Sequence, residues 1–390
     1  MKIKKIDIKG VGGIKDLHIN FNESMNILCG PNSIGKTTVL ESVASMFMYG
    51  TPAVKRHVDC EVGIINADVE LDGEIKNRGY QLLKFIPFEY DNINTFSDYS
   101  LKLLSIKVDR NFHYSKLSAV PSDPYRAIPD TWNEAREGIS FSDVKGWFVN
   151  RFLYSAYPGS LSEQQLLNFE LAKKCFSIIS STYSFSKVLA STNDIMVNTP
   201  QGEIYYEYLS SGFKSILSIL FEIIKEIEFR FKEHHLTANE FDGIILIDEV
   251  EEHLHPEWQE KILRVLRETF PQAQFIVTTH SPHVIQTADP NEIIALCMDE
   301  NSNVAVREDI STSKYGFKGW TIEEILYDVM GMKTLRTELY QQMIEDFGKA
   351  IDEENTEKAN TIYAELDQLL HPASPQRKLL QFQLAKIGES

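Results

Sequence analysis

Residues 2–9, KIKKIDIK, alternate apolar and polar positions with a period of two, and the alternation resumes over residues 17–21. Gly10, Gly12 and Gly13 separate the two runs, which predicts a β-hairpin at the start of the chain. Residues 25–29 then read as a short buried strand. Residues 36–48 read as a helix with Val39, Val43, Met46 and Phe47 on one face. Strand-like runs follow at 62–71, 80–88 and 101–110, reaching to about residue 113. Turn chemistry at Asp72-Gly73 and Asp91-Asn92 separates them, which predicts an antiparallel lobe. Residues 114–160 are rich in Pro, Tyr and Trp without a clear period, as expected of loops and short helices.

Periodicity returns at 161–181, a predicted helix capped by Ser160 or Ser162. A strand pair is expected over 195–209, turning at Gln201-Gly202. One long helix is expected over 212–233, burying Ile216, Ile219, Leu220, Ile223, Ile224 and Ile227. Residues 244–247, IILI, form a continuous apolar run, the pattern of a strand buried on both faces. A helix at 256–270 and strands at 274–278 and 293–298 complete a strand–helix–strand alternation, which makes a parallel sheet. Thr321 and Glu324 form a capping box, and everything after it reads as helix, broken near His371-Pro372 and Ser374-Pro375. The predicted class is α/β.

Composition narrows this picture. A chain of 390 residues accommodates two domains or one large domain with insertions, and 43% hydrophobic content implies a substantial core. Cys29, Cys60, Cys175 and Cys297 are scattered without metal-ligand spacing, as expected of reduced thiols in a cytoplasmic protein. The charged N-terminus lacks the apolar stretch of a signal peptide. The longest apolar run, about 215–224, falls short of the ~20 residues that span a membrane. A net charge of −17 opposes a broad nucleic-acid-coating surface. Lys2, Lys4, Lys5, Lys9 and Lys15 fit either a lysine-protected strand edge or a local DNA contact. The segment 321–390 carries thirteen acidic and seven basic residues.

Candidate chemistry begins at residues 30–38, GPNSIGKTT. Gly30, Pro31, Asn32, Ser33, Ile34, Gly35, Lys36 and Thr37 satisfy G-x-x-x-x-G-K-[ST], a phosphate-binding loop between a strand and a helix, with Thr38 following. Glycine permits close backbone approach, and N–H groups converge on phosphate at a helix N-terminus. Lys36 is expected to reach the β- and γ-phosphates, and the Thr37 hydroxyl to bind Mg²⁺. Asp248 and Glu249 end the strand GIILIDE, where α/β sheets bind ligands. Asp248 is the expected Mg²⁺ partner of Thr37, and Glu249 the group that orients or deprotonates water. Ser210, Ser211 and Gly212 open the long helix, and His280 follows the strand FIVTT.

In that chain order the set resembles the ABC-type ATPases of the SMC and RecF kind, and most closely the stand-alone prokaryotic ATPases related to the OLD family. Gly30–Thr37 resembles their Walker A motif, Leu209–Gly212 the signature motif, Asp248 and Glu249 Walker B, and His280 the switch histidine. The likeness is good over about 1–50 and 200–330. It implies an ABC-type ATPase domain over 1–330, with an inserted β and helical lobe at about 62–200 and a helical extension at 331–390. It further implies ATP and Mg²⁺ as cofactors. It implies, too, two ATP molecules sandwiched in a homodimer or larger oligomer, with Ser210, Ser211 and Gly212 completing the site of the opposite subunit.

His255 stands where the family's D-loop has aspartate, and neither Gln81 nor Gln201 makes a convincing Q-loop glutamine. OLD nucleases continue into an acidic Toprim unit, which the helical tail does not offer. The chain thus resembles the sensor ATPases of the Septu, PARIS and retron anti-phage systems, which control a separate nuclease or toxin. The alternative is a RecF-like repair ATPase that clamps DNA; a transporter subunit ranks third.

Overall fold

In the computed structural model, the described residues are all except 111–116, 118, 125, 142, 234, 311, 312, 333, 389 and 390. The chain opens with β1 (Lys2–Val11) and β2 (Ile14–Asn20), then β3 (Met25–Cys29) and α1 (Lys36–Ser45). It continues through β4 (Tyr49–Gly50), β5 (Gly63–Leu71), β6 (Glu74–Leu82), β7 (Ile93–Asn94) and β8 (Leu103–Ile106). Three helices follow: α2 (Ile128–Glu137), α3 (Val144–Ser155) and α4 (Glu163–Ile179). Next come β9 (Ser184–Val188), β10 (Ile195–Thr199), β11 (Gly202–Tyr205) and the long α5 (Ser211–Arg230). The alternating segment is β12 (Ile244–Ile247), α6 (Pro256–Thr269), β13 (Gln274–Thr278), α7 (Pro282–Thr287), β14 (Ile293–Met298) and β15 (Val304–Val306). A short α8 (Ile322–Glu324) runs into a π-helical turn, Ile325–Val329, and α9 (Glu338–Asp352), α10 (Thr356–Leu369) and α11 (Pro375–Gly388) end the chain.

The central sheet has the order β15-β14-β3-β13-β12-β8, with β14, β3, β13, β12 and β8 parallel. Its strands are buried on both faces because alternate residues feed two different cores. Ile245, Ile247, Phe275 and Val277 face the core of α3, α4, α5 and α6, whereas Ile244, Leu246 and Ile276 face α1 and the lobe. The lobe is the antiparallel sheet β2-β1-β5-β6. Helix α5 is buried along most of its length, with its apolar residues in the core and Glu222, Lys225, Glu226, Glu228 and Arg230 buried beside them. Contacts divide the chain into two compact units, Met1–Gly331 and Met332–Ser390. The second packs α9, α10 and α11 around Phe347, Ala350, Ala359, Leu366, Leu370 and Leu380.

Three expectations are corrected. The run at 101–110, expected in the antiparallel lobe, is a strand only over Leu103–Ile106, and that strand pairs in parallel with β12. All four of its residues are buried, so it is a core strand and not an alternating one. Its expected reach to residue 113 falls partly outside the described residues. The run at 80–88 ends as a strand at Leu82, and the lobe instead uses the polar stretch from Glu74 as its edge strand β6. The helix from residue 36 stops at Ser45, not 48; Met46 and Phe47 are buried in the turn that follows. Strand β9, which joins the predicted pair as a third strand, has no apolar alternation strong enough to be read from sequence.

Candidate active site

The site forms where the parallel strands end. The loop from Gly30 to Gly35 leaves β3 and enters α1 with Gly30 at φ +136°, Ser33 at +61° and Gly35 at +102°. A Cβ at Gly30 would lie 2.4 Å from the carbonyl oxygen of Leu296 on β14, so only glycine fits. Ile34 is buried and Pro31, Asn32 and Ser33 are exposed, which anchors the loop at one residue and opens it at its tip. Lys36 is buried, and its Nζ donates to the carbonyls of Gly30 at 3.0 Å and Pro31 at 2.9 Å. Burial holds the Lys36 ammonium below its usual pKa.

Strand β12 brings the acidic end to this loop. Thr37 Oγ1 donates to Asp248 Oδ2 at 3.1 Å, and Thr278 Oγ1, at the end of β13, donates to Asp248 Oδ1 at 2.6 Å. Glu249 takes a left-handed backbone, φ +47°, and its N–H donates to Thr278 Oγ1 at 2.7 Å. Glu249 Oε1 lies 4.0 Å from His280 Nε2. Burial, then the charges of Glu251, Asp248 and Glu252, raises the Glu249 carboxyl above the usual range. Burial, then Lys36, lowers the His280 imidazole, so it is neutral near pH 7. Asn32, Ser33, Gly35, Lys36, Thr37, Thr38, Glu249, Glu251, Glu252 and His280 line one cleft of ≈740 Å³.

Ser210, Ser211 and Gly212 do not line it. Ser210 is the N-cap of α5, its Oγ accepting from the Phe213 N–H at 3.3 Å, and both serines are exposed. Gly212 packs on α6: a Cβ there would lie 2.3 Å from Trp258 Cδ1. Gln81 lies on β6 and Gln201 beside the β10–β11 turn, and neither lines the cleft. Leu254 is buried and His255 caps α6.

Sequence reading missed Arg110. Its guanidinium is 2% exposed and donates to the carbonyl of Asp248 and, at 2.7 Å, to that of Glu249, while Nε donates to the Lys107 carbonyl at 3.0 Å. Burial pulls its pKa down to about 10. Arg110 therefore fixes the strained turn that carries Glu249. No local pattern could mark it, because its partners in the site, the carbonyls of Asp248 and Glu249, lie 138 and 139 residues away.

The donors suit a magnesium nucleotide. The glycine cradle admits no Cβ, a buried ammonium stands at the loop, and the hydroxyl–carboxylate pair of Thr37 and Asp248 is hard oxygen chemistry. A P-loop entering a helix, opposite an acidic strand end and a strand-end histidine, at the ends of a parallel sheet, defines the class of P-loop ATPases.

Comparison with known proteins gives the family. Residues 63–286 match a family model described as "AAA domain, putative AbiEii toxin, Type IV TA system", and residues 1–121 match "AAA ATPase domain". The Septu protein PtuA of Bacillus thuringiensis is 42% identical over 99% of this chain and 98% of its own length. The chain belongs to the PtuA family of Septu proteins, ATPases of anti-phage defence. The retron Ec83 probable ATPase of Escherichia coli is 36% identical over 28% of this chain and 20% of its own. The SMC head domain from Thermotoga maritima aligns with 80% of this chain and 100% of its own at 17% identity, with a TM-score of 0.44.

Proposed function

We propose that this chain hydrolyses Mg²⁺-ATP in the cleft between Gly30–Thr38 and Asp248–His280, pairs with a second copy around the nucleotide, and controls a separate nuclease or toxin. The observation that carries the catalytic part is the Thr37–Asp248–Thr278 chain of hydrogen bonds, which ties the P-loop helix to two strand ends and aims Glu249 at His280. Backbone N–H groups of the loop and Lys36 hold the phosphates. Thr37 and Asp248 hold the metal, which when bound supplies neutralising charge at the phosphates. Glu249 orients the attacking water and accepts its proton, a role its raised pKa suits. His280, neutral and half-exposed, offers a hydrogen bond at the cleft wall.

Pairing is supported by the exposed Ser210–Ser211 helix start, an anion-favouring N-terminus that does not line its own cleft. The test mixes two inactive variants. Lys36→Ala retains its signature face and Ser210→Arg retains its cleft. Combined, they assemble one composite site and recover partial ATP turnover. A mixture as inactive as its components would remove the shared-site reading. The acidic helical unit Met332–Ser390 is the proposed effector-docking element, its exposed Leu379 and Phe382 leaving apolar surface on α11.

A further inference from the structure

We propose that Glu251 and Gln259 are positioning residues that brace the His280 loop from two sides, so that the placement of His280 against Glu249 is set by the turn after β12 and by α6. The inference rests on the ATPase reading above for what His280 does, and adds to it what holds His280 there.

The first brace is Glu251. Its Oε2 accepts from Thr279 Oγ1 at 2.7 Å, and its Oε1 accepts from the backbone N–H of His280 itself at 2.5 Å. Both carboxylate oxygens are therefore committed to the two residues that leave β13. The Thr279 hydroxyl in turn accepts from the Ser281 N–H at 3.0 Å, so the one carboxylate orders three consecutive residues. The carbonyl of Glu251 accepts from the Leu254 N–H at 2.9 Å, which fixes the far end of its own turn.

The second brace comes from α6. Gln259 Oε1 accepts from Ser281 Oγ at 2.6 Å, and Gln259 Nε2 donates to the Leu254 carbonyl at 2.7 Å. One amide thus ties the residue after His280 to the end of the acidic turn. A carboxylate would lose the second bond and an apolar side chain both. Gln259 follows Trp258, whose ring packs on Gly212 at the start of α5. Contacts run without a gap from the signature residues through α6 to the loop of His280. The brace therefore gives the surface expected to meet a second subunit a physical route to the cleft.

The experiment is a double-mutant cycle on the full chain, with Glu251→Gln, Gln259→Leu and His280→Ala alone and combined. Glu251→Gln keeps the volume but removes the charge behind both bonds, and its amide N–H either opposes the His280 N–H or reverses the bond to the Thr279 hydroxyl, so the two bonds cannot both persist as they are. It lowers kcat by about tenfold or more with KM for ATP held within about twofold. In the His280→Ala background the same change costs less than about twofold, because its route to the reaction is already gone. An equal loss in both backgrounds would show that Glu251 acts on nucleotide or water directly, and would overturn the proposal. Gln259→Leu, which lies outside the cleft lining, repeats the cycle if Glu251→Gln fails to fold.

A second readout needs no turnover. Histidine side-chain NMR follows His280, assigned by its loss in His280→Ala. Its resonance shifts in both brace variants if they place the ring. An unchanged resonance sinks the brace even where ATP hydrolysis is normal, whereas a shifted resonance in a chain that does not hydrolyse ATP keeps the brace and removes only the ATPase reading.

Discussion

Glu249 is the residue on which the proposed chemistry turns. A carboxylate that must accept a proton works only when ionised, and here burial and three neighbouring acids hold its pKa up. The sign follows directly: turnover rises with pH as Glu249 loses its proton, and the acid limb lies above the range of an ordinary carboxylate. Glu252→Gln removes one of the like charges, so the limb of the kcat profile shifts toward lower pH. A limb that stays in place when Glu252 is neutralised would assign the ionisation elsewhere. At this scale the sequence was informative where chemistry and backbone constraint coincide. Gly30, Lys36 and Thr37 stand out because a phosphate loop tolerates few alternatives, and Asp248 because an acid follows a wholly apolar strand. Arg110 and Glu251 do not, because each is defined by what it bonds across the fold and not by its neighbours in the chain.

The elements follow the same logic. The segments read most accurately, β12 at Ile244–Ile247, β13 at Gln274–Thr278 and β14 at Ile293–Met298, are short apolar runs bounded by turn residues. Those misread are edge or mixed strands, β6 and β9, whose polar residues face solvent, and β8, whose short core run is hidden in a longer alternating stretch. Helix α5 shows what periodicity cannot reveal, because it buries charge as well as apolar surface. Glu228 Oε1 accepts from Trp147 Nε1 at 2.9 Å and Arg151 Nε at 2.8 Å, and Asn168 Nδ2 donates to Oε2 at 3.3 Å. That carboxylate pins α3 and α4 to α5. Glu228→Ala leaves the Arg151 guanidinium, 1% exposed, short of its main anion and should cost about 3 kcal/mol in chemical denaturation. A loss under about 1 kcal/mol would mean that Asp123 and Asn150 suffice for Arg151.

At the scale of the whole molecule, the two units carry separate expectations. Met1–Gly331 contains the entire cleft, both cores of the central sheet and helix α5. Met332–Ser390 has its own small apolar centre. Deleting 332–390 should leave ATP turnover within about twofold of the full chain, since no cleft-lining residue is removed. The same deletion should abolish co-purification of the proposed effector from the native host. Full retention of the effector by the shortened chain would place its docking surface on the larger unit. Among the described residues no helix is long and apolar enough to cross a membrane.

The most direct test of the central claim compares the full chain with Glu249→Gln, measuring ATP turnover, ATP affinity and mass in solution on the same samples. Glu249→Gln should bind ATP and Mg²⁺ as well as the parent, hydrolyse ATP at least about 100-fold more slowly, and accumulate as an ATP-dependent dimer or larger assembly. Turnover at the parental rate in Glu249→Gln would contradict the assignment of this cleft as the hydrolytic site.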